Sequence, residues 1–157
     1  MAEYINTSDQ IIPPGESVVF STAVVPCSSG NVRWRPGSSQ FSLKGNGCGC
    51  TPRFPYGCCQ QNDSTNYYVT FGANIAVPTG ETVGAISVAF AIDGVTLPET
   101  TMEETPAAVE EFSNVSRSST VQVWNGCCST FSIRNTSDIP IHMTNPNVVF
   151  NKPRQNR

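Results

Sequence analysis

The chain has 157 residues, the size of one ordinary domain, with nine Lys plus Arg against twelve Asp plus Glu and a net charge of −3. Only 13% of residues are charged; polarity comes instead from 17 Ser, 15 Thr and 13 Asn, with 12 Gly and 12 Pro, a set that favours turns and strand ends over helix interiors. This excludes a helical bundle, a nucleic-acid binder driven by counterion release (only two Lys are present) and a membrane-spanning helix, which needs about 20 apolar residues in a row.

In chain order, the turn Pro13-Pro14-Gly15 leads into Ser17–Val25, a β-branched run that predicts a strand ended by Pro26. Val32–Arg35 alternates apolar and charged residues before the turn Pro36-Gly37, and Gln40–Lys44 alternates again, with Phe41 and Leu43 on one face. Residues 45–66 are strand-poor, and a stretch of that length inside a compact domain is expected to be functional or covalently tied down. Strands are predicted at Asn66–Phe71, continuing at Ala73–Val77, and at Gly84–Ile92. In the last of these Ile86, Val88, Phe90 and Ile92 share one face and Ala85, Ser87, Ala89 and Ala91 the other, so both faces are expected to be covered, the second by a neighbour. Asp93-Gly94 is a strong hairpin signal. Thr105–Phe112 reads as a short helix capped by Thr105 or, in preference, as an extended strand with a bulge. Further strands are expected at Ser119–Trp124, Thr130–Arg134, Ile139–Met143 and Asn147–Asn151, and the tail 152–157 is basic. Eight to ten short strands spaced by turn residues predict an all-β, two-sheet antiparallel sandwich or barrel made of one domain, 1–157.

Seven cysteines stand at Cys27, Cys48, Cys50, Cys58, Cys59, Cys127 and Cys128, an odd number that forbids complete pairing within one chain. The N-terminus has neither a basic start nor an apolar core, so no secretory leader is read there. Such a chain fits proteins made in a cytoplasm and released by lysis. Disulfide stapling of the 45–66 loop is the preferred reading, because a loop without its own core gains most from cross-linking. A metal site at Cys48, Cys50, Cys58 and Cys59 is the alternative, although C-x-C plus C-C departs from the usual two- to four-residue spacing. His142, the single histidine, is read as a surface or interface residue. The carboxylates Glu99, Glu103, Glu104, Glu110 and Glu111 are read as a solvated face; no spacing assigns a catalytic pair, and no motif calls for a cofactor. Trp34, Phe54, Tyr56, Tyr67, Tyr68 and Trp124, aromatics in charge-poor surroundings, are candidates for an interface.

From Phe41 onward the order resembles the tumour-necrosis-factor-like jelly roll of complement-type globular heads. The resemblance lies in Ala85–Pro98, Thr120–Trp124 and Phe131–Ser137, about two thirds of the chain. Phe71–Gly80 and the paired Cys127-Cys128 are similar to small proteins of gut Firmicutes and their phages. The resemblance implies a homotrimer displayed on a virion, spore or cell surface. With no collagen-like Gly-X-Y run in the sequence, direct attachment to a particle is expected rather than display on a stalk. The expected function is therefore that of a non-enzymatic structural virion protein, as a capsid decoration, head fibre or tail component. Two alternatives are a spore-appendage or cell-surface fibre subunit joined by disulfides, and a carbohydrate- or receptor-binding module in which Trp34 or Trp124 stacks on a sugar. Partners would be copies of itself, other particle proteins and surface glycans, without nucleic acid or membrane.

Overall fold

The structure, a computed structural model, describes residues 1–45, 64–124 and 128–153. Its strands are β1 (Ala2–Ile5), β2 (Gln10–Ile12), β3 (Thr22–Val25), β4 (Val32–Arg33), β5 (Phe41–Lys44), β6 (Ser64–Ala76), β7 (Ile86–Ile92), β8 (Val95–Thr96), β9 (Met102–Glu104), β10 (Ser113–Trp124), β11 (Cys128–Asn135) and β12 (Ile141–Asn151). They form two sheets. Sheet one runs β10-β6-β12-β1-β3, with β2 also on β12; sheet two runs β4-β5-β11-β7-β8, with β9 also on β7. Every pairing is antiparallel. Successive long strands change sheet, from β5 to β6 to β7 and again from β10 to β11 to β12, so the architecture is a jelly-roll sandwich.

Alternation builds the core. On β6 the inward row is Tyr67, Val69, Phe71, Ala73 and Ile75, each almost wholly buried. Rings from both sheets meet between them: Tyr4, Phe20 and Phe150 each lie 4.9–5.2 Å from Phe41, and Phe131 lies 5.2 Å from both Phe150 and Phe90. These tilted and edge-on contacts suit aromatic quadrupoles and add to the burial energy. The Asp93-Gly94 turn takes left-handed φ values at both residues, 50° and 83°, which a two-residue hairpin of this twist requires, and it joins β7 to β8 as its sequence predicts.

Four expectations are corrected. Ser17–Val25 is not one strand: the chain hydrogen-bonds to sheet two through Val18 N to Ile133 O, then crosses to sheet one, where β3 begins at Thr22. Residues 105–112 form neither a helix nor a bulged strand. They fold into a turn in which the Glu111 carboxylate accepts from the Ala107 and Ala108 amides (3.0 and 3.1 Å) and Glu110 sits at φ 57°. The segments read as 139–143 and 147–151 are one strand, β12, whose register on β6 shifts between Thr144 and Asn147 around Asn145 at φ 51°. The alanine face of β7 needs no second copy. Ala89 and Ala91 are already buried, and Arg134, the cross-strand partner of Ala89, donates from Nη1 to Gly94 O (2.9 Å).

Asn135 joins the two sheets at the end of β11. Its buried amide donates to Ile12 O and Ile139 O, both at 2.9 Å, and its oxygen accepts from the Ser137 amide (2.9 Å) and hydroxyl. Backbone bonds from Gly15 N to Asn135 O and from Asn135 N to Glu16 O complete the clamp.

Candidate functional site

The outer face of sheet one carries the first site. Cross-strand pairing places Ser64, Asn66, Tyr68, Thr70, Gly72 and Asn74 outward on β6, opposite Trp124, Gln122, Thr120, Ser118, Ser116 and Asn114 on β10. On the other side of β6, β12 continues the face with Thr144, Asn147, Val149 and Asn151. No Lys, Arg, Asp or Glu stands in these three rows. Tyr68 and Trp124 are 52% and 57% exposed on it, and short hydroxyl and amide side chains bond across it, as between Thr70 and Ser118 (2.9 Å) and between Asn114 and Asn74 (3.1 Å). The face is bordered on β1 by the Glu3 carboxylate, which accepts from Asn147 Nδ2 (2.6 Å). Three uncharged, hydrogen-bonding rows with two aromatic residues have the composition of an interface centre, where charge is depleted and aromatics are enriched.

At one end of this face His142 is held between two loops. Nδ1 lies 2.6 Å from Glu110 Oε2, Nε2 lies 3.3 Å from Asp9 Oδ2, and Phe112 presents its ring edge-on at 4.9 Å. The Thr79 amide, bonded to the Glu110 carboxylate at 2.8 Å, and then His142 hold that carboxyl below its ordinary value. The sequence alone marks His142 as a surface or interface residue and does not show these partners. The pairing is hidden there because Asp9 and Glu110 lie 133 and 32 residues away along the chain.

A groove of about 700 Å³ opens between the terminal strands β3 and β4, where the two sheets part. Tyr4, Trp34 and Phe41 give it aromatic walls, and Arg33 and Arg35 lie along it. The half-buried Trp34 ring is fixed by donation from Nε1 to Ser38 O (3.1 Å) and by packing on Tyr4 at 5.1 Å.

The remaining candidates separate. Tyr67 is no interface residue: it points inward on β6, fully buried, and its hydroxyl donates to Lys44 O (2.5 Å) and Asn31 O (3.3 Å); burial pushes its pKa up to about 12. Cys27 and Cys128, which form no disulfide among the described residues, lie at the end of the sandwich where β3 finishes and β11 begins opposite Lys44. Burial pushes the Cys27 thiol up, but hydrogen bonds from the Ser29 side chain and from backbone at Val32, Asn31 and Ser29 outweigh it, leaving the group below its ordinary value. Cys48, Cys50, Cys58, Cys59, Cys127, Phe54 and Tyr56 lie outside the described residues. Among the described residues no three His, Cys, Asp or Glu side chains are grouped to hold a metal, and no helix is long and apolar enough to cross a membrane.

No protein-family model and no curated protein matches the chain. Among solved structures it is similar to the globular domain of zebrafish complement 1qA protein, with a TM-score of 0.65 at 11% identity over 99% of this chain and 98% of that one. Weaker matches are the C-terminal domain of EclA, a sugar-binding protein (TM-score 0.41, 11% identity, 92% of this chain and 79% of that one), and CBM35 from Paenibacillus barcinonensis (0.34, 14%, 94% and 97%). The chain thus shares its two-sheet jelly-roll fold with a complement globular head.

Proposed function

We propose that this chain is a non-enzymatic structural subunit that assembles with copies of itself, as a homotrimer, through the outer face of β10, β6 and β12. In this reading it forms part of a phage particle, as a capsid decoration, head fibre or tail component. The absence of any Lys, Arg, Asp or Glu from the three outward rows carries the reading. A monomer gains solubility from charge on its faces, whereas a self-pairing face must avoid opposing like charges around a symmetry axis. Electron microscopy of the native assembly distinguishes a particle component from the alternative, a spore or cell-surface fibre. Thr120→Arg introduces one cation on the exposed face beside Tyr68. It is expected to leave the fold intact, since isolated surface substitutions usually change stability by no more than about 0.5 kcal/mol, and to dissociate the oligomer. An unchanged assembly in a folded Thr120→Arg protein would move the interface elsewhere.

The groove at Trp34 supports a second reading, a carbohydrate-binding module. Fixed aromatic rings beside polar side chains are a usual composition for ligand pockets. Binding to a glycan array that disappears in Trp34→Ala but persists in Trp124→Ala would support it; loss in neither would dismiss it.

A further inference from the structure

Beyond the neutral recognition that a lone indole affords, we infer that the groove between β3 and β4 takes an anionic saccharide, a sugar unit bearing a carboxylate or a sulfate ester; the inference rests on the carbohydrate-binding reading. Val32, the last buried residue before the site, anchors β4 to the core; beyond it Arg33 and Arg35, two residues apart and both exposed, line the same groove as the half-buried Trp34.

Neither guanidinium lies within ion-pair distance of a described carboxylate. Two of the chain's nine cations thus stand at one opening without an ionic partner among the described residues, in a protein whose net charge is −3. A guanidinium presents paired N–H donors that match the two oxygens of a carboxylate or sulfate. Because the Trp34 N–H is already used by Ser38 O, the ring offers a ligand only its apolar surface, held in place at no further ordering cost. Gln40 and Ser42 add an amide and a hydroxyl on the wall for sugar hydroxyls, whereas the Ser38 hydroxyl is already bonded to the Gln40 backbone (3.2 and 3.1 Å). An acidic peptide would use the arginines but leave the fixed indole without a matching flat partner. A neutral sugar would use the indole but leave the two arginines idle.

The full chain carrying Trp124→Phe has Trp34 as its only tryptophan, so emission reports the groove alone. Titration with a galacturonate tetrasaccharide and with a sulfated tetrasaccharide of matched charge is expected to give a saturable shift with at least one of them, and the stronger of the two identifies the acid group. Maltotetraose should bind at least about tenfold more weakly, as should the acidic sugars to an Arg33→Ala/Arg35→Ala protein, because one charge-assisted contact amounts to roughly a tenfold effect or more. Both arginines are exposed, so that variant should keep the parent's melting temperature. No saturable shift with either acidic sugar, equal binding of maltotetraose, undiminished binding by the arginine variant, or equal displacement by tetraglutamate would each overturn the inference. Glycan-array binding by neutral sugars alone would uphold the broader reading while this one fails. Sedimentation of the same samples reports assembly separately.

Discussion

Replacing Asn135 by alanine tests the clamp that ties the sheets together. The substitution deletes four hydrogen bonds of a buried amide: two to the carbonyls of Ile12 and Ile139, which belong to or lead into sheet one, and two from Ser137. A buried hydrogen bond contributes a net of about 1 kcal/mol. The Ile139 carbonyl keeps the Ser137 hydroxyl at 3.1 Å, so the loss is less than the full sum, about 3 kcal/mol. For a chain of this length that lowers Tm by about 6–12 °C. Asn135→Asp should be worse at neutral pH, because a carboxylate retains the acceptor for Ser137 but turns lone pairs and a buried charge toward two carbonyl oxygens. Calorimetry or thermal circular dichroism of the three proteins measures the order. A Tm for Asn135→Ala within about 2 °C of the parent, or an aspartate variant more stable than the alanine one, would refute the clamp.

Two further predictions concern pH. The Glu110 carboxyl is held low by the Thr79 amide and His142, so its contribution is complete above the ordinary carboxylate value of 4.5 and is lost as pH falls through its lowered value in the folded protein. Tm should therefore be higher for the parent than for Glu110→Gln at neutral pH and converge with it on acidification; a difference that persists into strong acid would contradict this. Burial raises Tyr67 to about 12 from an ordinary 10.0, so the folded state keeps a proton that the unfolded chain releases, and stability should fall as pH climbs between those values. Burial also raises Tyr4, so ultraviolet titration should show more than one phenol ionising late; Tyr67→Phe should remove one of these late steps while lowering Tm at pH 7, since Lys44 O and Asn31 O lose their donor.

What could be read from the sequence was what neighbours in the chain decide. Asp93-Gly94 announces its turn because two consecutive residues tolerate left-handed φ. The alternation in 66–77 places Tyr67 and Tyr68 on opposite faces without any knowledge of partners, but which of the two faces the core is settled by the packing of β6. Trp34 stands out in the sequence as an aromatic between two arginines, but the groove that it lines is visible only once β3 and β4 are known to end their respective sheets. What stayed hidden depends on distant partners. Nothing around Asn135 shows that its amide reaches Ile12, 123 residues earlier, and nothing around His142 names Asp9 and Glu110. The Ser17–Val25 run misled because β-propensity cannot show that a chain leaves one sheet for the other midway. The uncharged face was hidden because Arg117 interrupts the run of β10 in sequence, whereas pairing places it in the row opposite Phe71, off the outward face.

Native mass of the full chain, taken alongside Thr120→Arg under the same conditions, tests self-assembly most directly. With a protomer of 16.9 kDa, a trimer weighs 3 × 16.9, or about 51 kDa, and the account predicts that mass for the parent and 16.9 kDa for a folded Thr120→Arg protein. A parent that remains at 16.9 kDa at high protein concentration would contradict it.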